Sequence, residues 1–250
     1  MIKKKSVLFV VLWGISLSLL WSQSPKCVAD SLYQKGKYPE AAQAYEHLLQ
    51  EGEHADLYYN LGNAYYRMND IGRCILNYER AALRDPGNSD IQFNLALART
   101  KTIDKIGDDS SFFIIYWVHC WMNTFSADGW AYLSLVCFFL AGIMLVVLRF
   151  LSSSLLGGIF RYVCVVLVIC VLLFNVFAWV QRNHLWDKTG AVILKTTPVK
   201  STPANSGTTL FTLHPGVKVK VTDSSMKQWR EITLPDGKKG WVEQSVFELI

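Results

Sequence analysis

Six cysteines and five histidines are the residues of this 250-residue chain with the most chemical potential. Thiols do redox work as a C-x-x-C pair, and Cys with His holds metals at short fixed spacings. Cys27, Cys74, Cys120, Cys137, Cys164 and Cys170 form neither pattern. His47, His54, His119, His184 and His214 are scattered, none stands beside a candidate nucleophile, and no glycine-rich phosphate loop occurs. These spacings predict no catalytic residue, no cofactor and no metal site, and hence a non-enzyme. A Cys27–Cys74 disulfide is the remaining redox alternative.

The elements that carry these residues are legible from charge. The chain is 51% hydrophobic and only 18% charged, against about 25% charge in soluble domains. That composition excludes intrinsic disorder, collagen-like structure and a disulfide-stapled mini-protein. The deficit is local: Gly129–Leu148 and Tyr162–Gln181 are each 20 residues without Asp, Glu, Lys or Arg. Each run matches about 30 Å of hydrocarbon at 1.5 Å per residue, predicting transmembrane helices over 129–149 and 161–181. Ser126-Ala127-Asp128 offers a helix start, and Trp130 and Trp179 read as interfacial aromatics. Asn175, deep in the second span, is expected to hydrogen-bond to the other helix.

Lys3-Lys4-Lys5, the apolar run Val7–Trp21 and Ser22-Gln23-Ser24 have the layout of a bacterial export signal over 1–22. Leu20-Trp21-Ser22 is a poor cleavage box, so a cleaved signal and a retained anchor both stay open. Arg149 and Arg161 bracket the loop 150–160, which the positive-inside rule places in the cytoplasm with Lys3–Lys5. Asp108, Asp109 and Asp128 then approach the first span from outside. The expectation is a multi-pass bacterial inner-membrane protein with both polar domains periplasmic. Within the linker 107–128, Phe112–Met122 is apolar but too short to span. It either lies in the interface or caps the preceding helices.

Residues 23–106 carry a repeat of period 33: Tyr38, Ala41, Tyr45 and Leu48 align with Ile71, Cys74, Tyr78 and Ala81. The fuller unit, 55–88, holds Leu61, Gly62, Tyr65, Tyr78, Ala81 and Pro86 and resembles the tetratricopeptide (TPR) repeat. Gly62 would let paired helices approach, Tyr65 and Tyr78 would fill the space between them, and Pro86 would end the second helix. Gly36 and Asn69-Asp70 mark turns. The first repeat is degenerate, with Ala29 in the glycine position. A helix over 89–104 is expected to cap the array, with Ile91, Phe93, Leu95 and Leu97 as apolar contacts. By repeat register, the resemblance implies a partner-binding concave face of Asp56, Tyr59, Asn63, Tyr66 and Arg67, with Asp30, Asp90 and Phe93. The three aspartates favour a basic or aromatic partner segment; ordinary solvated and packing roles are the alternative.

The last 66 residues, 185–250, alternate with period 2. Ala191–Leu194, Leu210–Leu213, Val217–Val221, Trp229–Leu234 and Gly240–Val242 read as short antiparallel strands, with 196–209 rich in turn residues. Gly216-x-x-Val219, Trp229-x-x-Ile232 and Asp236-Gly237-x-x-Gly240-Trp241-Val242 resemble a bacterial SH3 domain. Val219, Val221, Ile232 and Val242 are expected in its core, and Trp229 and Trp241 either in the core or along a ligand groove. Nine basic and six acidic residues give net +3, compatible with anionic wall polymer or an acidic partner and too weak for nucleic acid.

The fold class is therefore a mosaic: an all-α TPR array, two transmembrane helices and a C-terminal all-β SH3-like barrel. That order, with Tyr58–Tyr65 and Trp229–Trp241 as its strongest stretches, resembles the Bacteroides aerotolerance (Bat) proteins. The resemblance implies protein partners, namely von Willebrand factor A-domain membrane proteins and a MoxR-type ATPase, and a link to oxygen tolerance. A scaffold is the leading functional expectation, and peptidoglycan binding through the SH3-like domain the alternative.

Overall fold

The computed structural model describes residues 25–105, 113–150 and 155–250. The export signal over 1–22, Asp108, Asp109 and residues 151–154 of the predicted cytoplasmic loop lie outside them.

Five helices open the described chain: α1 (Pro25–Gln34), α2 (Tyr38–Glu51), α3 (Ala55–Arg67), α4 (Ile71–Arg84) and α5 (Ser89–Thr100). The turns that pair them sit one period apart, Gly36 at φ 75° and Asn69 at φ 60°, a backbone region that Gly and Asn tolerate. Asp70 caps α4 by accepting from Arg73 N at 3.1 Å, and Asn88 caps α5. Tyr45, Tyr65 and Tyr78 are buried between helices, with Cys74 and Ala81 beside them. At Gly62 an added Cβ would lie 2.6 Å from the Tyr78 ring, so the α3–α4 approach requires glycine. Ala29 occupies the equivalent place in the first repeat and is fully buried. Helix α5 stops four residues short of the predicted Asp104. It buries Ile91, Leu95 and Ala98 at i, i+4 and i+7. Phe93 and Leu97, expected to pack with them, are exposed, because two residues along a helix turn a side chain about 200° away.

Helix α6 (Phe113–Met122) leads into α7 (Ala127–Phe150) and α8 (Leu155–Trp186). The latter two are long and apolar enough to cross a membrane, and both extend beyond the uncharged runs. Asn175 Nδ2 donates to Ser134 Oγ at 2.6 Å and to its own helix at Val171 O, 2.8 Å, so the expected interhelical bond is present. Trp130, expected as an interfacial aromatic, is buried within the protein against Phe125, Phe174 and Phe177. Its Nε1 donates to Met122 O at 2.9 Å, and Gln181 Nε2 donates to the same carbonyl, fastening α6 to the top of the helical hairpin. That fastening fixes the indole inside.

The C-terminal strands are β1 (Gly190–Ile193), β2 (Thr197–Lys200), β3 (Thr209–Leu213), β4 (Lys218–Asp223), β5 (Trp229–Thr233), β6 (Lys239–Glu243) and β7 (Phe247–Leu249). They form an antiparallel sheet in the order β3-β2-β6-β5-β4-β1-β7. Every strand contributes to one core, including Ile193, Val199, Leu213, Val219, Ile232, Val242 and Phe247. A sheet can share one core among all its strands only by curling around it. Strand β2 falls within the stretch expected to be turns. Thr197 and Val199 point inward around exposed Pro198, an alternation masked by turn-favouring residue types.

The helical array and the sheet are packed together. Ala191 and Ile193 face the sheet's own core, whereas Val192 joins the core of the helical array, with Leu194 and Ile250 against it. That is why β1 reads as an unbroken apolar run: both of its faces are covered. Gly72 of α4 lies against Pro215 and the backbone of Ile193 and Leu194. From the opposite side, an added Cβ at Gly216 would meet Thr102 at 2.8 Å and Ile75 at 2.9 Å. Polar contacts frame this seam. Arg80 donates to Glu248 Oε1 at 2.9 Å, and Asp104 accepts from the His214 backbone N–H at 2.7 Å. Glu79, 4% exposed, binds Arg99 of α5 at 2.5 Å and Lys218 of β4 at 2.7 Å.

Candidate functional site

The predicted concave face is built by α1, α3 and α5. A pair of hydrogen bonds repeats along it with the period of the sequence. Tyr45 Oη donates to Asp30 Oδ1 at 2.6 Å, and one repeat later Tyr78 Oη donates to Asn63 Oδ1 at 2.6 Å. Asn60 Nδ2 reaches back to Asp30 at 3.4 Å, and Asn94 Nδ2 to Asn63 at 3.5 Å. Asn94 also donates to Tyr59 Oη at 2.7 Å. Tyr45 and Tyr78, at equivalent places in the two second helices, thus each hold a polar residue of their first helix, which in turn receives an amide from the next first helix.

At α5 this ladder stops. Leu97 stands 34 positions after Asn63 and Phe93 34 after Tyr59. No second helix of a third repeat follows to pack on them among the described residues. Phe93 is 68% exposed and Leu97 40%, an apolar step at the end of a polar ladder. Lys101 lies over the Tyr66 ring at 4.1 Å and Arg67 over Tyr38 at 5.0 Å.

The electrostatics differ from the expected acidic surface. Asp30 is engaged by Tyr45 and Asn60, and Asp56 is paired with Lys26. Burial acts to raise the Asp56 pKa, but the Lys26 hydrogen bond and charge outweigh it and hold the carboxyl below its usual range. Of the three predicted aspartates, Asp90 stays exposed with its carboxylate in no hydrogen bond or ion pair among the described residues. Lys26, Asn60, Asn94 and Leu97 belong to this face and were not anticipated. The 33-residue Asp30–Asn63 register, advanced once more, falls on Ala96, one position short of Leu97. The amides needed the geometry.

Trp229 and Trp241 are half-buried and neither enters the sheet core. Trp241 pairs with Glu231, and Arg230 with Val242. Alternation therefore puts both indoles on the outer face, opposite Ile232 and Val242. There they are diagonal neighbours, with Glu231 and Lys200 on the strands flanking Trp241. The core alternative for the two tryptophans does not hold.

The thiols show no redox arrangement. Cys74 is buried on α4, Cys27 is exposed on α1, and the two are not bonded. Burial pushes the Cys74 thiol up to about 12, far from a reactive thiolate. Among the described residues, no group of three or more His, Cys, Asp or Glu side chains is arranged to hold a metal ion.

Comparison with known families agrees with this architecture. The tetratricopeptide repeat family matches residues 55–88 and the bacterial SH3 domain family residues 195–248. No curated protein matches the chain. Both matched families are interaction modules of a kind that is typically non-catalytic, and they point to protein–protein interaction or cell-wall binding.

Proposed function

We propose that this chain is a non-enzymatic, multi-pass scaffold of the bacterial inner membrane, with its TPR and SH3-like domains periplasmic. The observation that carries the proposal is the interrupted ladder on α5. The sheet covers the side of the array formed by α4, while the first-helix side stays open and ends in exposed Phe93 and Leu97. A partner segment supplying apolar or aromatic side chains would continue the stack there, beside Tyr59, Asn63, Tyr66 and Arg67. With Asp30 and Asp56 already paired, an apolar partner suits the face better than a basic one. The element order resembles BatE of the Bacteroides aerotolerance proteins. On that resemblance the partners are von Willebrand factor A-domain membrane proteins, acting with a MoxR-type ATPase in oxygen tolerance or envelope stress.

Capture of membrane partners by the detergent-solubilised full chain tests this. Phe93→Ala removes an exposed ring at little cost to folding, and with Leu97→Ala is expected to abolish capture. Undiminished recovery of every partner from that double variant would refute the groove. Tyr59→Ala is a poorer probe, because its hydroxyl binds Asn94.

One observation favours peptidoglycan as a second ligand class. The outward indoles of Trp229 and Trp241 form a platform on which sugar rings can stack. Co-sedimentation of the full chain with purified sacculi, lost in Trp229→Ala/Trp241→Ala, would support that function.

A further inference from the structure

We infer that the groove between the adjacent ends of α7 and α8, roofed by the start of α3, binds the headgroup of a zwitterionic aminophospholipid. The inference rests on the membrane placement proposed above. The groove encloses about 640 Å³ and is bounded by Ser126–Asp128, by Arg182, Leu185, Trp186 and Lys188, and by Glu53–Ala55 with Arg84.

Depth is the first argument. Asp128 immediately precedes the uncharged run of α7, and Arg182 immediately follows that of α8. Both charges therefore stand at one edge of the hydrocarbon layer, where phospholipid headgroups lie. Trp186, one turn beyond Arg182 and 71% exposed, and Leu185 offer apolar surface beside them.

Charge is the second. In the roof, Arg84 is already paired with Glu53. Arg182, Lys188 and Asp128 have no hydrogen bond or ion pair through their side chains among the described residues. Two free cations and one free carboxylate complement a phosphodiester joined to a primary ammonium. Phosphatidylglycerol would leave Asp128 unmatched, and the quaternary ammonium of phosphatidylcholine has no N–H to donate to it.

Native mass spectrometry of the full chain, released from mixed micelles with equal phosphatidylethanolamine, phosphatidylglycerol and phosphatidylcholine, reads the preference directly. One retained phosphatidylethanolamine is expected. Arg182→Gln/Lys188→Gln should weaken retention about tenfold, the size expected for lost charge-assisted hydrogen bonds. Asp128→Asn should equalise the three lipids. All three side chains are exposed, and an unchanged circular dichroism melt confirms that the variants fold. Equal retention of the lipids by the unsubstituted chain, or a preference surviving the double substitution, overturns the site. Displacement by glycerophosphoethanolamine at matched concentration overturns the lipid in favour of a soluble headgroup. Alkaline carbonate extraction separates the two levels. Release from membranes refutes the membrane placement, whereas a retained chain without lipid preference refutes the headgroup site alone.

Discussion

At the scale of single residues, Glu79 concentrates the most structural consequence. It lies where α4, α5 and β4 meet and is 4% exposed. Burial acts to raise its pKa, but Lys218 and Arg99 more than compensate and hold it below its ordinary 4.5. The folded state thus binds this proton less readily than the unfolded chain. Its stabilisation is complete above pH 4.5 and is lost as pH falls through the lower folded-state value. Melts of the detergent-solubilised chain between about pH 6 and about pH 3 should show this acid loss. Glu79→Gln should flatten that slope and cost on the order of 2 kcal/mol at neutral pH. An unchanged slope in the variant would contradict the assignment. No sequence pattern marks this residue, because its partners are 20 and 139 positions away. Asp30 and Asp56 carry the same lesson: register placed them on the first-helix side, but their availability depended on Tyr45, Asn60 and Lys26.

At the scale of elements, legibility followed periodicity. The 33-residue repeat, the two uncharged runs and the alternating strands β4 to β6 each bury one face or meet one solvent, so their patterns are regular. Strand β2 was hidden because it is four residues long and its Thr197 and Pro198 are types that also favour turns. The association of helical array and sheet was also missed, although the unbroken Ala191–Leu194 run carries its signature. That association has a measurable consequence. Val192 is fully buried against the helical array, so Val192→Asp should destabilise helices and strands together by about 3 kcal/mol or more. Hydrogen exchange should show loss of protection in both α4 and β1. Loss confined to the strands would mean that the two parts are energetically independent. Within the array, Gly62→Ala should cost about 1–3 kcal/mol by pressing on Tyr78. An unshifted melting midpoint would argue against so close an approach.

At the scale of the whole molecule, the helical array and the sheet lean on each other through the α4–β1 seam, and Gly87, just after α4, lies against the Asn123–Thr124 backbone between α6 and α7. On the proposed scaffold function and membrane placement, the open TPR face and the outward tryptophans would stand in fixed relation to each other and to the membrane surface. The arginine bracketing of the 150–160 loop makes the orientation testable. Protease added from the periplasmic side should remove both polar domains and spare that loop, and protection of either domain would invert the topology. The central claim, that a protein partner docks on the first-helix face, is tested most directly by photo-crosslinking in native membranes. A crosslinking residue at Phe93 should yield a discrete protein adduct that is absent when the same residue replaces Lys35. Identical adducts from both positions, or none from Phe93, would contradict the account.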